Sequence, residues 1–208
     1  MFSARNIIIL LIVAAVAGFA FLSLIQPSEP IITPSPAPTE PSDIVVIQSL
    51  PDSSMPETSE VRSPDGKMKL IMKETTSGDN TTYSFSISGT EEDSKKTVFS
   101  RTVLMGASME MSPNAWSPDN KYFFIIEKSG NSINYLVFRA NGEYFSENEQ
   151  YIDVVPLFAQ KNTGYTLSDI TGWDSETLLH VYSTKEGLKG PSFWFEIPSK
   201  AVIQLASR

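Results

Sequence analysis

An all-β domain of short antiparallel strands, set behind an N-terminal transmembrane helix, is the fold this sequence predicts. Three observations carry it. Residues 7–25 form a run of nineteen positions without a charge, from Ile7 to Ile25. Residues 26–60 are rich in proline and acid. Through 61–208, apolar and polar residues alternate with period two, and turn formers break the alternation at short intervals.

At about 1.5 Å per residue, a helix over 7–25 covers about 28 Å, close to the ~30 Å hydrocarbon core of a bilayer. A small-x-small site at Ala15-Val16-Ala17 leaves a cleaved signal peptide open as an alternative. The apolar run continues past it through Phe19, Phe21, Leu22, Leu24 and Ile25, which favours an uncleaved signal anchor embedded in the lipid bilayer. A buried core helix fits less well, since the segment is apolar on every face. Arg5 and the N-terminus precede the run, and no Lys or Arg follows until Arg62. The positive-inside bias therefore keeps residues 1–6 in the cytoplasm and sends the rest across the membrane. The chain has no Cys, so an exported domain rests on its core without disulfides.

Eight of the fourteen prolines fall within 27–60, together with six acids and no base. Proline removes backbone donors and like charges repel, so 26–60 is expected to be an extended, disordered stalk. Ile44-Val45-Val46-Ile47 interrupts it with four β-branched residues, a candidate short strand. The remaining 148 residues, 61–208, suffice for one domain with a core. They hold fifteen Lys/Arg and eighteen Asp/Glu, a net charge of −3. A mildly acidic domain without a basic run excludes nucleic acid as an expected partner.

The strands follow in order. Met68, Leu70 and Met72 share one face of 67–73. Tyr83, Phe85 and Ile87 alternate with serines over 82–88. Further strands are predicted over 97–104, 122–127, 133–139, 177–183, 192–197 and 202–205, and short helical turns near 106–111 or 168–170. No helical period stands out after residue 60. Asn141-Gly142, between Leu136-Val137-Phe138 and Tyr144-Phe145, predicts a two-residue type I′ hairpin.

The segment also repeats. Ser63-Pro64-Asp65-Gly66-Lys67 precedes the apolar strand at Met68. Ser117-Pro118-Asp119-Asn120-Lys121, 54 residues on, precedes Tyr122-Phe123-Phe124. A degenerate third copy places Asp174 where Asp119 fell, 55 residues further, with Trp173 echoing Trp116. Pro presets φ, Asp accepts from nearby amides, and Gly or Asn takes a left-handed conformation, so the motif reverses the chain tightly into a strand. These turns followed by apolar strands resemble the blades of TolB-like, WD40-like β-propellers. The resemblance covers 61–208 and implies about three blade-like repeats. Four to eight blades of about 40–50 residues close a propeller, so a self-contained incomplete propeller, an independent sandwich or barrel, and an oligomeric ring all stay open. The hydrolase domain that accompanies such propellers in prolyl-oligopeptidase-like enzymes is missing, so the resemblance implies no peptidase activity.

No residue pattern selects a catalytic, cofactor or metal site. His180, the only histidine, lies in the apolar strand Leu178-Leu179-His180-Val181-Tyr182, where bonding to a neighbour is the expected role. Glu91-Glu92-Asp93 lacks the alternating spacing of a cation loop and reads as a charged hairpin tip. Glu127, Glu143 and Asp153 are carboxylates that nothing in the spacing pairs for glycoside hydrolysis. Trp116 and Trp173 occupy corresponding positions. They read either as wedges between sheets or as exposed contacts for a protein or sugar. The expectation is a non-enzymatic, membrane-anchored module contacting a protein or envelope partner outside the membrane. An anchored hydrolase or glycan-binding domain is the alternative.

Overall fold

The computed structural model describes residues 56–89, 95–162 and 164–206. The candidate anchor 7–25, residues 26–55 including Ile44–Ile47, and the Glu91-Glu92-Asp93 cluster lie outside the described residues. Every described residue belongs to one compact unit, which lies within 48–208. Among the described residues no helix is long and apolar enough to cross a membrane.

The described chain is all-β, built as three antiparallel sheets in succession. The first is β1 (Glu57–Arg62), β2 (Lys69–Ser77), β3 (Asn80–Ser88) and β4 (Lys96–Leu104), paired in that order. The second is β5 (Ala107–Glu110), β6 (Tyr122–Ser129), β7 (Ser132–Arg139) and β8 (Ile152–Asp153). A short helix, α1 (Val154–Lys161), leads to the third: β9 (Thr166–Trp173), β10 (Leu178–Lys185), β12 (Phe193–Glu196) and β13 (Val202–Gln204), with the two-residue β11 (Leu188–Lys189) also on β10. Glu57 to Glu60, part of the acidic tract by composition, form most of β1 and pair with β2.

The alternation decides which way each sheet faces. On β3, Tyr83, Phe85 and Ile87 enter a core shared with Phe123, Ile125, Leu136 and Phe138 of the second sheet. The intervening residues of β6 and β7, namely Phe124, Tyr135 and Val137, enter a second core with Ile170, Leu179, Val181, Phe193 and Phe195 of the third. The apolar run Tyr122–Ile126 therefore reflects a sheet buried on both faces. The outer face of the first sheet is polar. Thr82 pairs with Thr102 at 2.8 Å, Ser84 with Ser100 at 3.0 Å and Ser86 with Thr97 at 3.2 Å.

The two Ser-Pro-Asp turns are superimposable in their bonding. Ser63 N donates to Met68 O and Ser117 N to Tyr122 O, both at 2.9 Å. Each serine Oγ accepts from the same Met68 or Tyr122 amide and donates to the Asp65 or Asp119 carboxylate at 2.8 Å. These bonds satisfy two serines that are almost wholly buried. Gly66 (φ 72°) and Asn120 (φ 62°) supply the left-handed residue. The third turn differs from the expected alignment. Asp174 N donates to Leu178 O at 2.9 Å, so Asp174 occupies the place of Ser117, 57 residues on, and not that of Asp119. The turn is one residue shorter, and the Trp116-Ser117 and Trp173-Asp174 pairs coincide.

Four local expectations are corrected. Residues 107–110 and 166–173 are strands, because pairing with β6 and β10 and burial of Met109 and Ile170 override weak turn propensity. The helix α1 escaped the pattern because only Val154 and Phe158, one turn apart, are buried, and Pro156 sits in its first turn where it loses no hydrogen bond. At Asn141-Gly142 only Gly142 has positive φ (70°), so the turn is not type I′. Lys96 Nζ ties Asn141 O at 2.8 Å, and β7 pairs instead with Ile152 and Asp153.

Asn120→Gly is expected to leave the stability of the full chain within a few tenths of a kcal/mol, and Asn120→Ala to cost about 1–2 kcal/mol, since a Cβ without a local polar group is strained at φ > 0. Urea unfolding followed by indole fluorescence checks both.

Candidate functional site

The two repeated tryptophans fasten successive sheets. Trp116 Nε1 donates to Val61 O at 3.2 Å, and Trp173 Nε1 donates to Ala115 O at 2.9 Å. Val61 and Ala115 hold matching places two residues before the turn serines. Each indole thus reaches back to the backbone of the preceding unit. Trp116 is 5% exposed, packed on Phe123 with centroids 5.5 Å apart. Trp173 is half-buried and stacks on Tyr122 at 6.2 Å.

Where these chain segments converge, a cleft of about 610 Å³ opens. Arg62, Trp116 and Trp173, the residues preceding the three turns, all line it, with Asn114 and the exposed Pro64, Pro113 and Pro118. Asn114 Nδ2 donates to Thr171 O at 3.3 Å across the base. Opposite, β9 carries a bulge where Gly172 (φ 144°) pairs with His180, and a side chain at Gly172 would lie 3.1 Å from the Asn114 Cβ. The repeat therefore brings chemically different residues to one end of the fold.

His180 and Asp174 form the wall between this cleft and a second of about 820 Å³ on the outer face of the third sheet. Asp174 Oδ2 holds His180 Nδ1 at 2.7 Å and accepts from Trp194 Nε1 at 2.6 Å. A carboxylate acceptor assigns the proton to Nδ1 in the neutral ring and leaves Nε2 as the acceptor. Nε2 is closed to solvent and has no hydrogen-bond partner among the described residues. Ser192 lines the second cleft with His180, but no serine hydroxyl bonds to that nitrogen. The pair as placed orients an aromatic surface. It does not present a base to substrate.

The other carboxylates lie elsewhere. Glu127 is bonded to Arg101, whose guanidinium also donates to Tyr151 Oη at 2.9 Å and lies 5.0 Å over the Phe99 ring. Asp153 lies near this cluster. Burial holds its carboxyl above the usual carboxylate range, an Asn134 hydrogen bond opposes that, and the Glu127 charge adds to it. Glu143 sits apart, 4.0 Å from Arg139. The structure thus brings Glu127 and Asp153 together, without Glu143 and outside either cleft. Among the described residues no group of three His, Asp or Glu could hold a metal ion.

Arg62, Asn114 and Trp194 were not singled out by sequence. Trp194 had a readable signal: it alternates with Phe193 and Phe195, which turn inward at 1% and 0% exposure. Comparison of the chain with known protein families finds no matching family model, and comparison with curated proteins finds no match.

Trp173→Phe keeps a ring but deletes the bond to Ala115 O, and a loss of about 1–3 kcal/mol is expected in denaturant unfolding. Asp153→Asn is expected to melt at or above the wild-type temperature at pH 7. The folded-state pKa of Asp153 is raised, so the protonated form favours folding. That contribution is full below the ordinary value of 3.8 and is lost as pH rises through the folded-state value. Calorimetry at pH 7 and pH 3 should show the variant's advantage only at pH 7.

Proposed function

We propose that this chain is a single-pass, signal-anchored protein whose N-terminus lies in the cytoplasm and which presents an incomplete, three-bladed propeller-like module outside the membrane to contact a protein or envelope partner. The anchor and stalk are read from the charge pattern around 7–25 and the composition of 26–60. The blade reading draws support from three successive antiparallel sheets packed face to face, two of them entered through the same Ser-Pro-Asp turn. A head-to-tail ring would press the hydroxyl ladder of the first sheet on His180, Tyr182 and Trp194 of the third. That mismatch favours a self-contained arc.

The observation that carries the reading is the convergence of Arg62, Trp116 and Trp173 on one cleft with an exposed proline rim. Arg and Trp are the residue types that dominate protein contacts. A photoreactive phenylalanine analogue at Pro113, in membranes of the source cell, is expected to give one discrete protein adduct that Arg62→Glu removes. The same analogue at Thr82, on the hydroxyl ladder, should give none. No discrete adduct at Pro113, or the same adducts from both positions, overturns the proposal.

An anchored hydrolase is the second reading: Asp174, His180 and Ser192 line one cleft, and His180 would have to turn its ring to meet the serine. It requires Ser192→Ala to abolish a measured turnover.

A further inference from the structure

The outer face of the third sheet is unlike that of the first. Leu179, Val181, Phe193 and Phe195 turn inward and are buried. The residues between them face outward, where the register sets His180 beside Trp194 and Trp194 beside Ile203. Tyr182 flanks the row, its ring 4.7 Å from that of His180. Tyr182 is 36% and Ile203 45% exposed. The cleft above His180, Tyr182 and Trp194, about 820 Å³, is in the range that holds small ligands.

The rings are fixed in advance. One oxygen of Asp174 bonds both the Trp194 indole and the His180 imidazole, so neither ring turns freely. The other oxygen, Oδ1, takes no hydrogen bond among the described residues. Ser192 and Lys189 border the same cleft, and the opposed charges of Asp174 and Lys189 leave it without a net sign. A matching ligand has an apolar C–H face for the rings, hydroxyl donors for Asp174 Oδ1 and acceptors for Lys189, and no charge of its own. A pyranose ring has all of these. Holding the rings in place before binding lowers the ordering cost of stacking.

We propose that this face binds a neutral saccharide, with the Trp194 ring against the C–H face of a pyranose and Asp174 Oδ1 accepting from its hydroxyl groups. This site goes beyond the contact reading, and its test leaves the Pro113 rim untouched, so either can fail alone.

The test titrates the full chain, in a detergent without sugar headgroups, with cellotetraose, chitotetraose and maltotetraose, read by indole fluorescence and saturation-transfer NMR. Saturable binding of at least one is expected. Trp194→Ala should weaken it about tenfold or more, the scale of one aromatic contact, and Trp194→Phe should retain most of it. Tyr182→Ala, at a more exposed position, gives a second reading if Trp194→Ala does not fold. The proposal is overturned by no saturable binding to any of the three or by affinity unchanged in both alanine variants. It is equally overturned by a dimer in sedimentation that occupies this face and dissolves in Trp194→Ala.

Discussion

The second sheet is buried from both sides, and the rest of the structure depends on that constraint. Phe123, Ile125, Leu136 and Phe138 point one way, and Phe124, Tyr135 and Val137 the other, all at 2% exposure or less. A one-residue slip of β6 against β7 would exchange the two sets and bring every ring against the wrong neighbour. Each large side chain buried this way is worth about 1.5–3 kcal/mol, so the register is held by many such contributions on both faces. The first and third sheets each need only one apolar face. Their outer faces are free to carry other chemistry.

Packing of this kind sets sheets face to face but does not by itself align their ends. The turns and the indoles do that. A buried serine in each of the first two turns closes a bonding pattern that starts the next strand at a fixed place. Trp116 and Trp173 then tie each unit to the backbone just before the preceding turn. The same geometry that stabilises the stack brings three consecutive chain segments to one end, where they diverge in side chain: Arg62, Trp116 and Trp173. The same indoles fasten the sheets and line the cleft, with Trp116 buried and Trp173 half-buried.

Much of the fold was legible because alternation and turn chemistry are local. Tyr83, Phe85 and Ile87 announce their face without knowledge of any partner, and Gly66 and Asn120 sit at the positions where left-handed φ was expected. What escaped depended on distant contacts. β5 and β9 are strands because β6 and β10 lie beside them. The turn at Gly142 packs against Lys96 and Val98, and Lys96, far back in the chain, holds Asn141. The third turn was misaligned because Asp174 takes over the place of a serine while its side chain bonds across strands, to His180 and Trp194. The clefts were illegible for the same reason: Arg62 and Trp173 meet only through the stacking of whole sheets.

Substituting Asp for Ser at the third turn links the fold to its surface. Ser63 and Ser117 spend their hydroxyls on the turn itself and are buried. Asp174 keeps the backbone bond of the turn and turns its carboxylate outward, where one oxygen serves two rings. In the second unit neighbouring sheets cover both faces of the strand after the turn, and in the first its outward residues, Lys69, Ile71 and Lys73, lie beside the serines of β3. In the third, with no sheet beyond it among the described residues, the outward residues are Tyr182 and the two rings that Asp174 holds, His180 and Trp194. The last unit of the stack thus departs from the repeat at an outer face that no further sheet covers among the described residues, and the carboxylate at its turn holds the rings of that face in place.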